Sequence, residues 1–272
     1  LQQTLADESQ HPQGDLWIVL IGHGTFDGRA AKFNLRGPDL TAEELRTCLD
    51  AVQRPTSVIN CASSSGPFLN VLSGPGRIVV TATRAGSEQN FARFGDFLSQ
   101  AIATLEADVD KDGETSLLEA FLTASRNTEA YYKQQGRLAT EHALLDDNGD
   151  RQGTAADWFQ GVRAVKKAES AAAVDGRRAQ QFHLVRSDFE RSMPPEIRQQ
   201  RDQLELQLHE LRDRQPQLDA AEYDRQLEEL LLKLARLYEG LETPAEETTS
   251  AEPVTPSSAD ESSPPAKEAK GR

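Results

Sequence analysis

Leu16-Trp17-Ile18-Val19-Leu20-Ile21-Gly22-His23-Gly24-Thr25 decides how this chain is read. Six apolar residues of strand length stop at a glycine, and a histidine follows at once. Ser57-Val58-Ile59-Asn60-Cys61-Ala62-Ser63 repeats the pattern, with a β-branched run that ends in asparagine and then cysteine. Unbroken apolar runs predict strands buried on both faces, as in a parallel sheet flanked by helices. In such sheets chemistry collects at the carboxyl ends of neighbouring strands.

The segments around these strands give an α/β order. Arg77–Thr83 is a third β-branched run. A capping box, Thr41 with Glu44 three residues on, starts a helix to about residue 52, with Leu45, Cys48 and Leu49 on its apolar face. Between the two lie a turn at Phe26–Arg29 and a hairpin arm at Ala31–Leu35. The stretch 62–67 reads as a loop and a short connection. Phe91, Phe94, Leu98, Ile102 and Leu105 recur at helical spacing, as do Leu117, Leu118, Phe121, Leu122 and Tyr131 over 117–134. Trp158, Val162 and Val165 predict a helix over 155–167, and Phe182–Val185 a short strand or docking segment. Residues 1–168 thus form a mostly parallel α/β domain, and 169–194 a linker or docking segment. Ile197, Leu204, Leu208 and Leu211, then Tyr223, Leu227, Leu230, Leu234 and Leu237, predict a helical hairpin over 195–240 with Asp219 and Glu222 capping its second helix. That hairpin either packs on the domain or pairs with a partner or a second copy. Residues 243–272, rich in Pro, Ser, Thr and Glu, predict a disordered tail.

Composition removes several classes. In 272 residues, 44 acidic against 30 basic side chains leave a net charge of −14, which disfavours nucleic acid and anionic membrane as partners. No run approaches the roughly 18 apolar residues of a membrane helix. Two cysteines, Cys48 and Cys61, do not make a disulfide framework. Cys48 reads as a packing residue.

A histidine and a cysteine at one sheet edge are the parts of a thiol nucleophile and its base. Gly24 lets a substrate backbone approach, and the N–H groups of Gly24 and Cys61 are candidate oxyanion donors. Ser63, Arg84, Ser87 and Glu88 are candidates for the pocket that receives the residue before the scissile bond, Glu88 favouring a basic or amide side chain. These two motifs resemble the caspase/legumain-like cysteine peptidases over roughly residues 10–105, with an extension towards 165. The resemblance implies a caspase-like three-layer sandwich and peptide-bond hydrolysis by a His23–Cys61 dyad, with a peptide or protein as substrate. It also implies strands ahead of the His strand, for which fifteen residues leave scarcely any room, as in a truncated chain. Asn60 before the cysteine and Ala62 after it depart from the family's usual residues, so no cleavage preference carries over.

Two acidic loops add a second theme. Asp108-x-Asp110-x-Asp112-Gly113-Glu114-x-Ser116-x-x-Glu119 fits the twelve-residue calcium loop of an EF-hand, with oxygen ligands at alternate places and a closing glutamate. Asp146, Asn148, Asp150 and Asp157 repeat the spacing, with Arg151 where glycine belongs. Calcium is therefore the expected ion, and no organic cofactor is expected. Two other functions compete with the peptidase. One is a calcium-stabilised, non-catalytic interaction module. The other is a dinucleotide-binding domain built on Gly22-His23-Gly24 and Gly28, which would need a helix opening on those glycines.

Overall fold

The computed structural model describes residues 1–11, 14–168 and 173–239. In chain order its first half holds α1 (Gln2–Glu8), β1 (Leu16–Leu20), β2 (Gly24–Phe26), β3 (Ala31–Phe33), β4 (Leu40–Thr41), α2 (Ala42–Leu49), β5 (Thr56–Asn60), α3 (Gly66–Leu72), β6 (Arg77–Thr81) and α4 (Phe94–Ala103). Next come β7 (Thr115–Ser116), α5 (Leu117–Gln134), β8 (Leu144–Asp146), β9 (Thr154–Ala155), β10 (Phe159–Gln160) and β11 (Arg163–Ala164). The chain continues through α6 (Arg177–Gln181), β12 (His183–Val185), α7 (Asp188–Ser192), α8 (Pro195–Arg214) and α9 (Ala220–Glu239).

The central sheet has five strands in the order β1-β5-β6-β8-β9. The first three run parallel, with Leu20 opposite Asn60 and Asn60 opposite Thr81 at their carboxyl ends. β8 and β9 are antiparallel, and Thr81 pairs with Leu144 at the start of β8. Four segments therefore meet at one rim: those leaving β1, β5 and β6, and the one entering β8.

Every residue of β5 is buried, as its apolar run requires of a central strand. Its side chains alternate between two cores. Val58 joins Leu45, Leu49, Phe68, Leu69 and Val79 beneath α2 and α3. Ile59 joins Val80, Phe94, Leu98, Leu118 and Phe121 beneath α4 and α5. The architecture is mixed α/β with helices on both faces of the sheet.

Several expectations need correction. The run at 16–21 is not buried on both faces: β1 is the edge strand, Ile18 and Leu20 are buried, and Val19 stays 44% exposed. α4 and α5 sit over β5 and β6 and do not reach it, although Trp17 stacks on Phe182 with ring centroids 5.6 Å apart. The connection between β5 and β6 contains α3, so the unit is β–α–β; Pro67 in its first turn suits the start of a helix. The sheet is mixed, because the short β8 returns antiparallel. The helix expected over 155–167 is a 3₁₀ turn followed by the β10–β11 hairpin, whose turn is made by Gly161 at φ 57°. Phe91 precedes α4 and is 66% exposed.

Other elements match. The Thr41 capping box is complete, with Glu44 N–H donating to Thr41 Oγ1 and Thr41 N–H to Glu44. Cys48 is half-buried against the α2–α3 core. β12 pairs antiparallel with β7. Residues 173–193 dock onto the domain, burying Ala179, Phe182 and Met193. α8 and α9 form the expected hairpin, with Glu222 N–H donating to Asp219 Oδ1 at 3.0 Å. α8 buries Arg201, Leu208 and Leu211, whereas no residue of α9 is fully buried. Residues 169–172 and the tail 243–272 lie outside the described residues. Among the described residues, no helix is long and apolar enough to cross a membrane.

Candidate functional site

The rim is assembled by the ends of parallel strands. Gly24 is the seam between its first two segments. Gly24 N–H donates to Ser63 Oγ at 3.3 Å, and Ser63 Oγ–H donates back to Gly24 O at 3.0 Å. A Cβ on Gly24 would lie 2.1 Å from Ser63 O, so only glycine permits this approach. The segment after β1 and the segment after β5 are therefore packed directly on each other.

His23 is exposed, with its ring 6.4 Å from that of Phe91 in an edge-on arrangement. Cys61 points into the core under α4, where a Cβ on Gly95 would sit 3.1 Å from Sγ. Both side chains thus neighbour the segment 91–95. The sulfur is covered, with Cys61 only 7% exposed. Burial, and secondarily the Glu141 carboxylate, push its thiol up to about 12. Among the described residues no hydrogen bond joins the His23 ring to the sulfur. This conformation holds a protonated, shielded thiol.

The two expected oxyanion donors are both engaged. Cys61 N–H donates to Leu20 O at 2.9 Å as a continuation of the β1–β5 ladder, which corrects its assignment as a free donor. Gly24 N–H is held by Ser63, at a longer distance. Ser63 is buried and its hydroxyl is spent on Gly24. Ser64 beside it adopts φ 54°, a left-handed conformation uncommon for a non-glycine residue, with its N–H on Glu88 O at 2.8 Å.

The Glu88 carboxylate is engaged within the rim. Its Oε1 meets His142 Nδ1 at 2.6 Å and Arg84 Nε at 3.3 Å, and its Oε2 accepts the N–H groups of Arg84 and His142. Through its backbone and its carboxylate, Glu88 ties the β5 loop, the β6 loop and the segment entering β8 together. Arg84 and Ser87 are exposed at the same rim.

Sequence reasoning missed Glu141. It is buried, and its carboxylate accepts the N–H groups of Arg93 and Phe94 at the start of α4 and the hydroxyl of Tyr132. It also missed Asp147 and Asp175, a buried pair whose carboxyls burial pushes up, Asp175 to about 8 with the Asp147 charge adding to the effect. Nothing in the local sequence marks these residues, because their partners lie tens of residues away. Gly22-His23-Gly24 leads into the β2–β3 hairpin, so it offers no helix N-terminus to a dinucleotide phosphate.

The acidic loops share one backbone design. Lys111 and Gly113, at places four and six of the first, have φ of 67° and 82°. Gly149 and Arg151, at the same places of the second, have φ of 80° and 68°. Gly113 N–H donates to Asp108 Oδ2 at 3.1 Å, and Arg151 N–H to Asp146 Oδ2 at 3.0 Å. Arg151 therefore takes the left-handed conformation that glycine would supply. The loops differ at the twelfth place. Glu119 folds back to accept Val109 N–H and Ser116 N–H, whereas Asp157 is exposed and makes no hydrogen bond to its loop among the described residues. In the second loop Asn148 donates its amide to Ala173 O, and Asp146 accepts two backbone N–H groups. Ligand atoms of Asp108, Asp110 and Asp112 lie within 4.8 Å of one another, as do those of Asp112, Glu114 and His183.

No protein-family model, curated protein or solved structure matches this chain.

Proposed function

We propose that this chain is a cysteine-peptidase-type domain of caspase/legumain-like architecture whose dyad is latent in the present conformation. The observation that carries this reading is the Gly24–Ser63 seam. It fuses the histidine-bearing and cysteine-bearing segments at the carboxyl ends of adjacent parallel strands. His23 and Cys61 also share the 91–95 segment as a neighbour, which supports the reading.

Activity then requires that segment to move. With the sulfur uncovered, His23 takes the thiol proton and Sγ attacks the scissile carbonyl. Gly24 N–H, released from Ser63, stabilises the oxyanion. His23 returns the proton to the leaving amine, and water hydrolyses the thioester to regenerate the thiol. A peptide or protein is the substrate in this scheme.

A second reading, a non-catalytic interaction module, draws support from the shielded thiol, since a buried cysteine with a raised pKa is inert. A peptidyl acyloxymethyl ketone library, with adducts located by mass spectrometry, separates the two. Labelling of Cys61 that disappears in His23→Ala supports the peptidase. Labelling of Cys48 alone, or none across the library even in mild chaotrope that loosens the 91–95 segment of the folded chain, supports the module.

A further inference from the structure

We infer that the loop 108–119 binds a calcium ion and that its occupancy latches α7 and the α8–α9 hairpin onto the domain. The carrying observation is Asp108. It is 7% exposed, one carboxylate oxygen is taken by Gly113 N–H, and the other, Oδ1, is buried without a hydrogen-bond partner. A buried carboxylate oxygen left unpaired is costly, so it calls for a positive partner. Around it lie the carboxylates of Asp110 and Asp112, with ligand atoms inside 4.8 Å, and the Lys111 ammonium goes to the Asp108 backbone oxygen at 2.7 Å, leaving Oδ1 unpaired. The donors are carboxylate oxygens, which suits a hard cation, and Glu119 at the twelfth place, now holding Val109 N–H and Ser116 N–H, would turn to join them. In the second loop Asp146 has both oxygens on backbone N–H groups and Asp157 turns away, so the inference is confined to the first.

The latch begins at Glu114, the seventh place, which supplies a backbone carbonyl in a loop of this design. Its carboxylate lies within 4.8 Å of that of Asp112, and both its oxygens are engaged by the C-terminal segment. Oε1 accepts the N–H and hydroxyl of Ser187, and Oε2 meets His183 Nε2 at 3.0 Å. Thr115 and Ser116, the next two places, form β7 and pair with β12. Ser187 caps α7, and Glu190 on α7 is buried against Arg198 and Arg201 of α8. An ion that fixes the loop backbone fixes the first link of this chain of contacts.

Calorimetric titration of the chelator-treated full chain with calcium chloride tests the site. Amide exchange over 183–211 tests the latch. A saturable calcium site, weakened about tenfold or more by Asp108→Asn and by Glu119→Gln, supports the site. Slower exchange over 183–211 on adding calcium, abolished in Glu114→Gln while that variant still binds calcium, supports the latch. Absence of binding in a chain that remains folded by circular dichroism overturns the whole inference. Binding without any change in exchange overturns the latch alone. Zinc binding that depends on His183 and survives Asp108→Asn overturns the ion's identity.

Discussion

Gly24 and Gly95 act as spacers at the rim. Each stands where a side chain would strike Ser63 O or the Cys61 side chain, at 2.1 Å and 2.7 Å respectively. Gly24→Ala is expected to destabilise by about 1–3 kcal/mol or more, because the clash is with backbone and the two loops must separate. Gly95→Ala meets a side chain that has some freedom, so a smaller loss of about 1–2 kcal/mol is expected, with Cys61 displaced. Urea unfolding of both variants checks the order. Equal, negligible losses would mean the seam is looser than described. The histidine and the cysteine themselves were legible in the sequence, since each follows a β-branched run. The protonation of Cys61 was not legible: it depends on Gly95, Phe94 and Glu141, which reach the thiol from other segments.

At the scale of elements, α4 has no capping side chain of its own, and Glu141 from the segment before β8 serves its first turn. Glu141→Ala leaves the N–H groups of Arg93 and Phe94 unpaired and the Tyr132 hydroxyl with Thr140 alone, an expected loss of about 2–4 kcal/mol. Thr41→Ala removes an exposed capping box and should cost only about 1 kcal/mol. Chemical unfolding of the pair decides whether the remote cap outweighs the local one, and a larger loss for Thr41→Ala would contradict the account. The local cap was readable from Thr41 and Glu44, because its partners lie within one turn. β5, β6, α2, α5 and the hairpin were readable for the same reason: periodicity is a local signal. β1 was read as buried because its run is apolar throughout, yet pairing and helix placement leave it at the edge. β8 is three residues long and carries no periodicity, so the sheet's antiparallel half was invisible.

For the molecule as a whole, burial of Cys61 links the rim to stability. A thiol whose folded value is raised from an ordinary 9.0 to about 12 contributes stability that is fully present below pH 9 and is lost as pH rises towards 12. Cys61→Ser removes that alkaline slope, which stability measurements across pH 8–11 would reveal. An unchanged slope would mean the sulfur is not shielded. The most direct test of a latent dyad is the thiolate absorbance of a Cys48→Ser chain, followed near 240 nm as pH is raised. The account predicts no titration of Cys61 below about pH 10, and no change on His23→Ala. A midpoint below pH 8 that shifts upward in His23→Ala would show an imidazole and an accessible sulfur already paired, and would contradict latency.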